Sequence, residues 1–341
     1  MKKFLSLLLM LVILAFVLLS PAIIAEGVNK NIFNIRKQRQ QEEYKGTIVF
    51  WHVVSFKTGQ GSGYSMLKAR STRFEQNTPY VFVELSGITA EEAKKRLSDG
   101  EKPDVISYPK GFADEYKLVA VEKNDDICEK LSNMQQNSYP YMFDSYVLLV
   151  NGELFYENGI QLPFGELMTQ EVFYAAVNNI GGETKPLSLS DTAGIDAART
   201  LEHLYFSNEE TGLDMNCDKN TAPGCALGAE SFLDGQSAMY ICPYSEYKSL
   251  QNDKRADAIN IKCYPVSDYT DLIQCIGVYK NQDKAKEKMC LRLAGSILGK
   301  GFQQQLETLE MFPVILSDDI YDDNYERKTQ YARLMENGIF G

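Results

Sequence analysis

The order of elements between residues 47 and 108 constrains what this chain can fold into more than any other feature. T-I-V-F-W-H (47–52) reads as a strand and opens into a glycine-rich loop, T-G-Q-G-S-G (58–63). A helical segment follows, with Tyr64, Leu67 and Phe74 on one face, and stops at F-E-Q-N-T-P (74–79), where Pro79 cannot continue it. V-F-V-E-L (81–85) is a second strand. Thr89 and Glu92 form a T-x-x-E capping box for the next helix, which ends at Gly100, and K-P-D-V-I-S-Y (102–108) is a third strand. Strand–helix–strand–helix–strand is how a parallel sheet begins, and such sheets hold ligands at the carboxyl ends of their strands.

A chain of 341 residues can build two packed lobes of ordinary domain size. Its 44% hydrophobic and 24% charged content is that of a folded globular protein. The net charge of −11 argues against a nucleic-acid partner, which would require a basic face, and the acidity itself reads as solubility.

Residues 1–25 read as a targeting segment: Lys2 and Lys3, an apolar run from Phe4 to Leu19 broken only by Ser6, then Pro21 and the small Ala25. The run also approaches the roughly 20 residues that span a bilayer. A cleaved signal peptide and an N-terminal membrane anchor therefore both remain open, and either places the folded part outside the cytoplasm, secreted or held at the cell surface. Residues 26–45 are a polar, charge-mixed stalk.

There are seven cysteines, an odd number, with no C-x-x-C pair, and only two histidines, so no metal site is expected. Cys217 and Cys225 bracket a short loop and could close a disulfide; free thiols are the equal alternative. Downstream, Y-V-L-L-V (146–150), S-A-M-Y-I (237–241) and A-I-N-I-K-C-Y-P (258–265) read as strands. Ile195, Ala198, Leu201, Leu204 and Tyr205 repeat at helical spacing, and the strongest helix runs from Asp283 to Leu298 with Ala285, Met289, Leu293 and Ile297 as its apolar stripe. A last amphipathic helix runs to Met335.

Three catalytic patterns fail on spacing. Gly59, Gly61 and Gly63 with Glu84 imitate a dinucleotide fingerprint, but the final glycine is missing and the loop from His52 is too long for the tight turn. It reads better as the rim of a ligand cleft. Ser65–Lys68 and Lys57–Thr58–Gly59 match S-x-x-K and K-T-G in reversed order, with no S-D-N between them. A serine–histidine–aspartate site has only His52 and His203 available, and no serine sits in a nucleophile elbow. Neither enzyme activity nor a cofactor is expected.

Seven segments, in order, resemble the extracytoplasmic solute-binding proteins of ABC importers, in particular the carbohydrate-binding group that includes maltose-binding protein. They are T-I-V-F-W-H; R-F-E-Q-N-T-P-Y-V-F-V-E (73–84); K-P-D-V-I-S (102–107); N-G-E-L-F-Y-E-N-G-I-Q-L-P-F-G-E-L (151–167); F-L-D-G-Q-S-A-M-Y (232–240); K-N-Q-D-K-A-K-E-K-M with G-F-Q-Q-Q-L (280–289, 301–306); and M-F-P-V (311–314). The resemblance covers about Gly46 to Val314.

The resemblance implies an α/β, two-lobed, periplasmic-binding-protein-like (type II) fold with an interlobe ligand cleft and multiple hinge crossings. Lobe 1 would comprise 46–135 plus 272–306, and lobe 2 would comprise 140–268 plus 307–341. It also implies capture of a small solute, a sugar or oligosaccharide, and delivery to ABC permease transmembrane subunits. Sugars need flat aromatic faces for their C–H surfaces and carboxylates or amides for their hydroxyls. By resemblance, the contacts fall just after strands, at His52, Ser55, Ser107, Tyr108, Asp144, Tyr146, Tyr244 and Glu246. Trp51, the single tryptophan, reads as core. Residues 20–27 hold no lipid-bearing cysteine and the second lobe looks short. Those departures motivate the alternative of a membrane-tethered sensor or interaction protein on the same fold.

Overall fold

β1 (Gly46–Val53) is buried continuously from Phe50 to Val53, as its apolar and aromatic residues require. It pairs in parallel with β2 (Val81–Ile88) on one side and with β3 (Val105–Pro109) on the other. The computed structural model describes residues 44–54, 56–113, 117–120, 127–132, 137–163, 168, 170–180, 184–190, 225–265, 269–315, 321 and 325–340. The segment 1–25, most of the stalk and the helical repeat at 195–205 lie outside the described residues. Among the described residues no helix is long and apolar enough to cross a membrane.

The other strands, in chain order, are β4 (Leu118–Val119), β5 (Ser138–Phe143), β6 (Tyr146–Val150), β7 (Lys185–Leu189), β8 (Cys225–Leu227), β9 (Ser237–Pro243), β10 (Lys262–Pro265), β11 (Tyr269–Thr270), β12 (Ile273–Tyr279), β13 (Phe312–Pro313) and β14 (Ile339–Phe340). They form two main sheets. The first has the order β13-β5-β12-β3-β1-β2, with β4 also on β12; the second has the order β10-β6-β9-β7-β8. Within the first sheet β12 runs antiparallel to both β3 and β5, entering from late in the chain. Gly277 in mid-β12 explains an otherwise weakening strand glycine. A Cβ there would meet Leu118 Cδ1 at 2.8 Å and Tyr108 Cε1 at 3.3 Å.

Helices start where the sequence expects, although the capping box at Thr89 is half formed, because the Glu92 carboxylate accepts from Arg96. Thr89 accepts from Glu92 N and starts the Ala90–Ser98 helix, while Asp283 accepts from Ala285 N and Lys286 N to start Lys284–Leu298. Met289, Leu293 and Ile297 of the expected stripe are buried, joined by Cys290, Ala294 and Leu298. The strand expected over 258–265 is shorter, because a helix, Lys254–Ala258, precedes it and only 262–265 pair. Asn260 has φ +50, a left-handed turn that asparagine tolerates and that ends the helical path.

The chain passes from the first sheet to the second at Asp144–Ser145 and returns through Thr270–Leu272. The expected lobe limits need correction on this point: residues 140–143 and 312–313 belong to the first sheet, through β5 and β13. Pro140 hid β5 in the sequence. It sits where the β5–β12 register shifts between Gln274 and Cys275, the kind of irregularity that tolerates proline inside a sheet.

Cys128, Cys242, Cys263, Cys275 and Cys290 form no disulfide. Cys217 lies outside the described residues, and so does its pairing with Cys225.

Candidate ligand-binding cleft

β1 and β3 end side by side, and a buried polar cluster has formed there. His52 Nδ1 lies 2.9 Å from Ser107 Oγ, which lies 2.9 Å from the Tyr141 hydroxyl. Gln274 Nε2 donates to Ser107 Oγ (2.9 Å) and to Val53 O (3.0 Å). Ser107 therefore donates to one of His52 and Tyr141 and accepts from the other. Burial pushes the His52 imidazole down to about 4, so it is neutral at physiological pH.

Although a serine and a histidine are adjacent here, the arrangement is unlike a nucleophile. Ser107 is completely covered and all its hydrogen-bonding capacity is used within the cluster. The network instead fixes the His52 ring at the strand end.

The second sheet offers a carboxylate at its own strand ends. Glu246 accepts from Ser190 Oγ and from the Tyr240 hydroxyl, both at 2.5 Å. Ser190 follows β7, and Glu246 lies in the Tyr244–Leu250 helix that follows β9.

Between the two sheets the crossings are bonded to each other. Asp144 N donates to Leu272 O (2.9 Å), and Thr270 Oγ1 donates to Asp144 O (2.6 Å). The Asp144 carboxylate accepts from Ser145 N (2.8 Å) and Ser245 N (3.1 Å), and the Tyr146 hydroxyl donates to Asp271 Oδ1 (2.5 Å). Burial raises the Asp144 carboxyl to about 7, against the lowering effect of these donors and of the Arg327 charge.

The C-terminal helix, Tyr325–Asn337, ties the crossings down. Gln330 Nε2 donates to Ser145 Oγ (2.6 Å), and β14 pairs with β11. Arg327, buried, pairs with Glu310 and lies 4.4 Å from the Tyr321 ring centre, 5.3 Å from that of Phe312 and 5.8 Å from that of Tyr244.

The glycine-rich loop bridges the two halves. Gly59 N donates to Leu309 O (2.9 Å) on the first-sheet side. From the second half, Ser249 Oγ donates to Gly59 O (2.8 Å) and Ser245 Oγ to Lys57 O (3.2 Å).

The eight contacts expected from sequence thus fall into separate groups. His52 and Ser107 share one network. Asp144, Tyr146 and Tyr244 sit at the crossings, and Glu246 sits at the strand ends of the second sheet. Tyr108 follows Ser107 in the same strand and so points to the opposite face, where its hydroxyl donates to Ser138 Oγ (2.7 Å). Ser55 lies outside the described residues. Sequence reasoning missed Tyr141, Gln274, Ser190 and Tyr240. Gln274 had a usable signal, as a lone amide in the otherwise buried apolar run I-Q-C-I-G-V-Y. Among the described residues no group of three or more His, Cys, Asp or Glu is placed to hold a metal.

Two titrations of opposite sign follow from the burial. His52 has a lowered folded value, so its contribution to stability is complete above about pH 6.5 and is lost as pH falls through 4, about 3 kcal/mol in all. Asp144 has a raised value, so its contribution is complete below about pH 4 and is lost as pH rises through 7. Chemical denaturation across pH 4–8 checks both: His52→Gln should flatten the acid limb, and Asp144→Asn should flatten the limb toward neutral pH.

No protein-family model matches the chain, and no curated protein does. Solved structures do. The GacH receptor of Streptomyces glaucescens, determined unliganded and with acarbose, aligns at TM-score 0.60 with 17% identity, over 88% of each chain. A cyclic α-maltosyl-1,6-maltose binding protein from Arthrobacter globiformis aligns at 0.61 with 13% identity, over 87% of this chain and 88% of its own. Iron-bound HitA from Pseudomonas aeruginosa aligns at 0.55 with 10% identity, over 85% of this chain and 98% of its own. These likenesses establish the two-lobed type II binding-protein fold, a frame that holds quite different ligands in different proteins.

Proposed function

We propose that this chain is the extracytoplasmic solute-binding component of an ABC-type importer, and that it captures a sugar or oligosaccharide between its two halves and presents it to a membrane permease. The observation that carries this reading is the pairing of strand ends across the crossings. The neutral His52–Ser107–Tyr141–Gln274 cluster belongs to one sheet and the Glu246–Ser190–Tyr240 group to the other. A neutral imidazole fixed at one set of strand ends and a carboxylate at the other suit a polyhydroxylated, uncharged guest. The acarbose complex of the GacH receptor and the maltosyl-maltose binding protein share the frame and support a carbohydrate. Capture shifts an equilibrium between open and closed forms, and no bond is made or broken.

A melting screen of the purified chain against sugars, polyols, amino acids and peptides tests this. A ligand at a hundredfold its dissociation constant adds about 2.7 kcal/mol. For a chain of this size that raises melting by several degrees. A response confined to saccharides is the expected result, and a response to amino acids or peptides alone would replace the sugar.

A further inference from the structure

We propose that the first half of the molecule carries a second site, for a phosphate group, at the end of its strands remote from the cleft. The Gly63–Asn77 helix starts beside His52, with the Gly63 Cβ position 3.5 Å from His52 Nε2. It then runs about 21 Å back along the strands, and its last turns lie at the N-terminal ends of β1 and β2, where Val81 N donates to Thr78 O and Gly46 N to Tyr80 O. There Arg70 and Arg73 meet Arg292 from the Lys284–Leu298 helix around an open cavity of about 220 Å³, with Asn77, Thr78 and Ser296 completing the polar wall.

Every polar side chain on that wall carries a hydrogen-bond donor, and none is acidic. Among the described residues no carboxylate pairs with any of the three arginines. In a chain with 46 acidic and 35 basic residues, three guanidiniums converging without an acid run against composition. Arg70 is held in place, its Nε donating to Ser296 Oγ (3.1 Å) and its Nη2 to Ser296 O (2.6 Å), which clamps one helix to the other. Arg73 and Arg292 are exposed at the mouth, Arg292 with only the weak Met289 sulfur acceptor at 3.7 Å, and both can fork onto an oxyanion. Burial first, and the like charge of Arg73 second, lower the Arg70 guanidinium, and a bound dianion would relieve the Arg73 repulsion.

Inorganic phosphate and a phospholipid headgroup offer the same chemistry. The test uses the full-length chain in nonionic detergent at constant ionic strength. Melting is followed against inorganic phosphate in one arm and against dihexanoyl phosphatidic acid, below its micelle concentration, in the other. Phosphate stabilises proteins generally through exclusion from their surfaces, so only a saturable rise counts. The Arg73→Gln, Arg292→Gln double variant leaves the Arg70–Ser296 clamp intact and should weaken the saturable response at least about tenfold, as expected for lost charge-assisted hydrogen bonds. Arg73→Gln alone, read by phosphorus NMR line broadening, repeats the comparison if the double variant folds poorly. Tighter binding of free phosphate would mark a soluble oxyanion as the ligand, and tighter binding of the lipid would mark a headgroup; either supports the site. A response absent from both arms, or unchanged in the variants, overturns it.

Discussion

Replacing Arg327 with methionine is expected to destabilise the protein by about 3–5 kcal/mol, the usual result of removing one partner of a buried ion pair. Arg327 is 1% exposed and pairs with Glu310. It also packs against the rings of Tyr321, Phe312 and Tyr244. Methionine would fill much of the volume but strand Glu310 and remove a charge that favours ionised Asp144. At about 2 °C per kcal/mol for a chain of this size, melting should fall by about 6–10 °C. The loss should be larger at pH 8 than at pH 6, because Asp144 must ionise without a counter-charge. Arg327→Lys keeps the charge and loses the planar stack, so it should fall between the two. A loss below about 1 kcal/mol for methionine would show that the C-terminal helix does not secure the crossings.

The second large effect concerns closure. A Cβ on Gly59 would lie 2.5 Å from Glu310 Cβ and 2.9 Å from Ser245 O, one contact in each half of the molecule. Gly59→Val should therefore penalise the form in which the halves meet. Overpacking costs about 1–3 kcal/mol. Charged against the closed form alone, about 2 kcal/mol weakens cleft binding roughly thirtyfold. Ser249→Ala removes only one hydrogen bond to the same loop, so it should cost only about fivefold. Calorimetric titration with the solute identified by the melting screen reads both. Unchanged affinity in Gly59→Val would mean that this loop plays no part in closing.

Much of the first half was legible in the sequence because its signals are local. β1, β2 and β3 are apolar runs bounded by Gly and Pro, and Thr89 and Asp283 are caps whose partners lie within three residues. What escaped depends on distant partners. β5 carries Pro140 and reads as non-strand until β12 supplies the irregular register that accommodates it. Arg327 sits in an amphipathic helix and reads as a surface charge until Tyr244, Phe312 and Tyr321 close over it.

The site divides the same way. Strand ends were visible, and the resemblance pointed to His52, Ser107 and Glu246 beside them. Whether a strand-end residue faces its neighbour or the far side of the sheet depends on register, which separated Tyr108 from Ser107. Tyr141 and Gln274 reach the cluster only through the pairing of β5 and β12 with the strands around them.

Small-angle scattering of the purified chain, with and without the saccharide that raises its melting temperature most, reads whether the two halves close on a guest. The expected result is a smaller radius of gyration at about tenfold the dissociation constant of the sugar, where Gly59→Val, about thirtyfold weaker, remains mostly expanded. An identical scattering curve for the free and the saturated protein would contradict capture between two hinged halves.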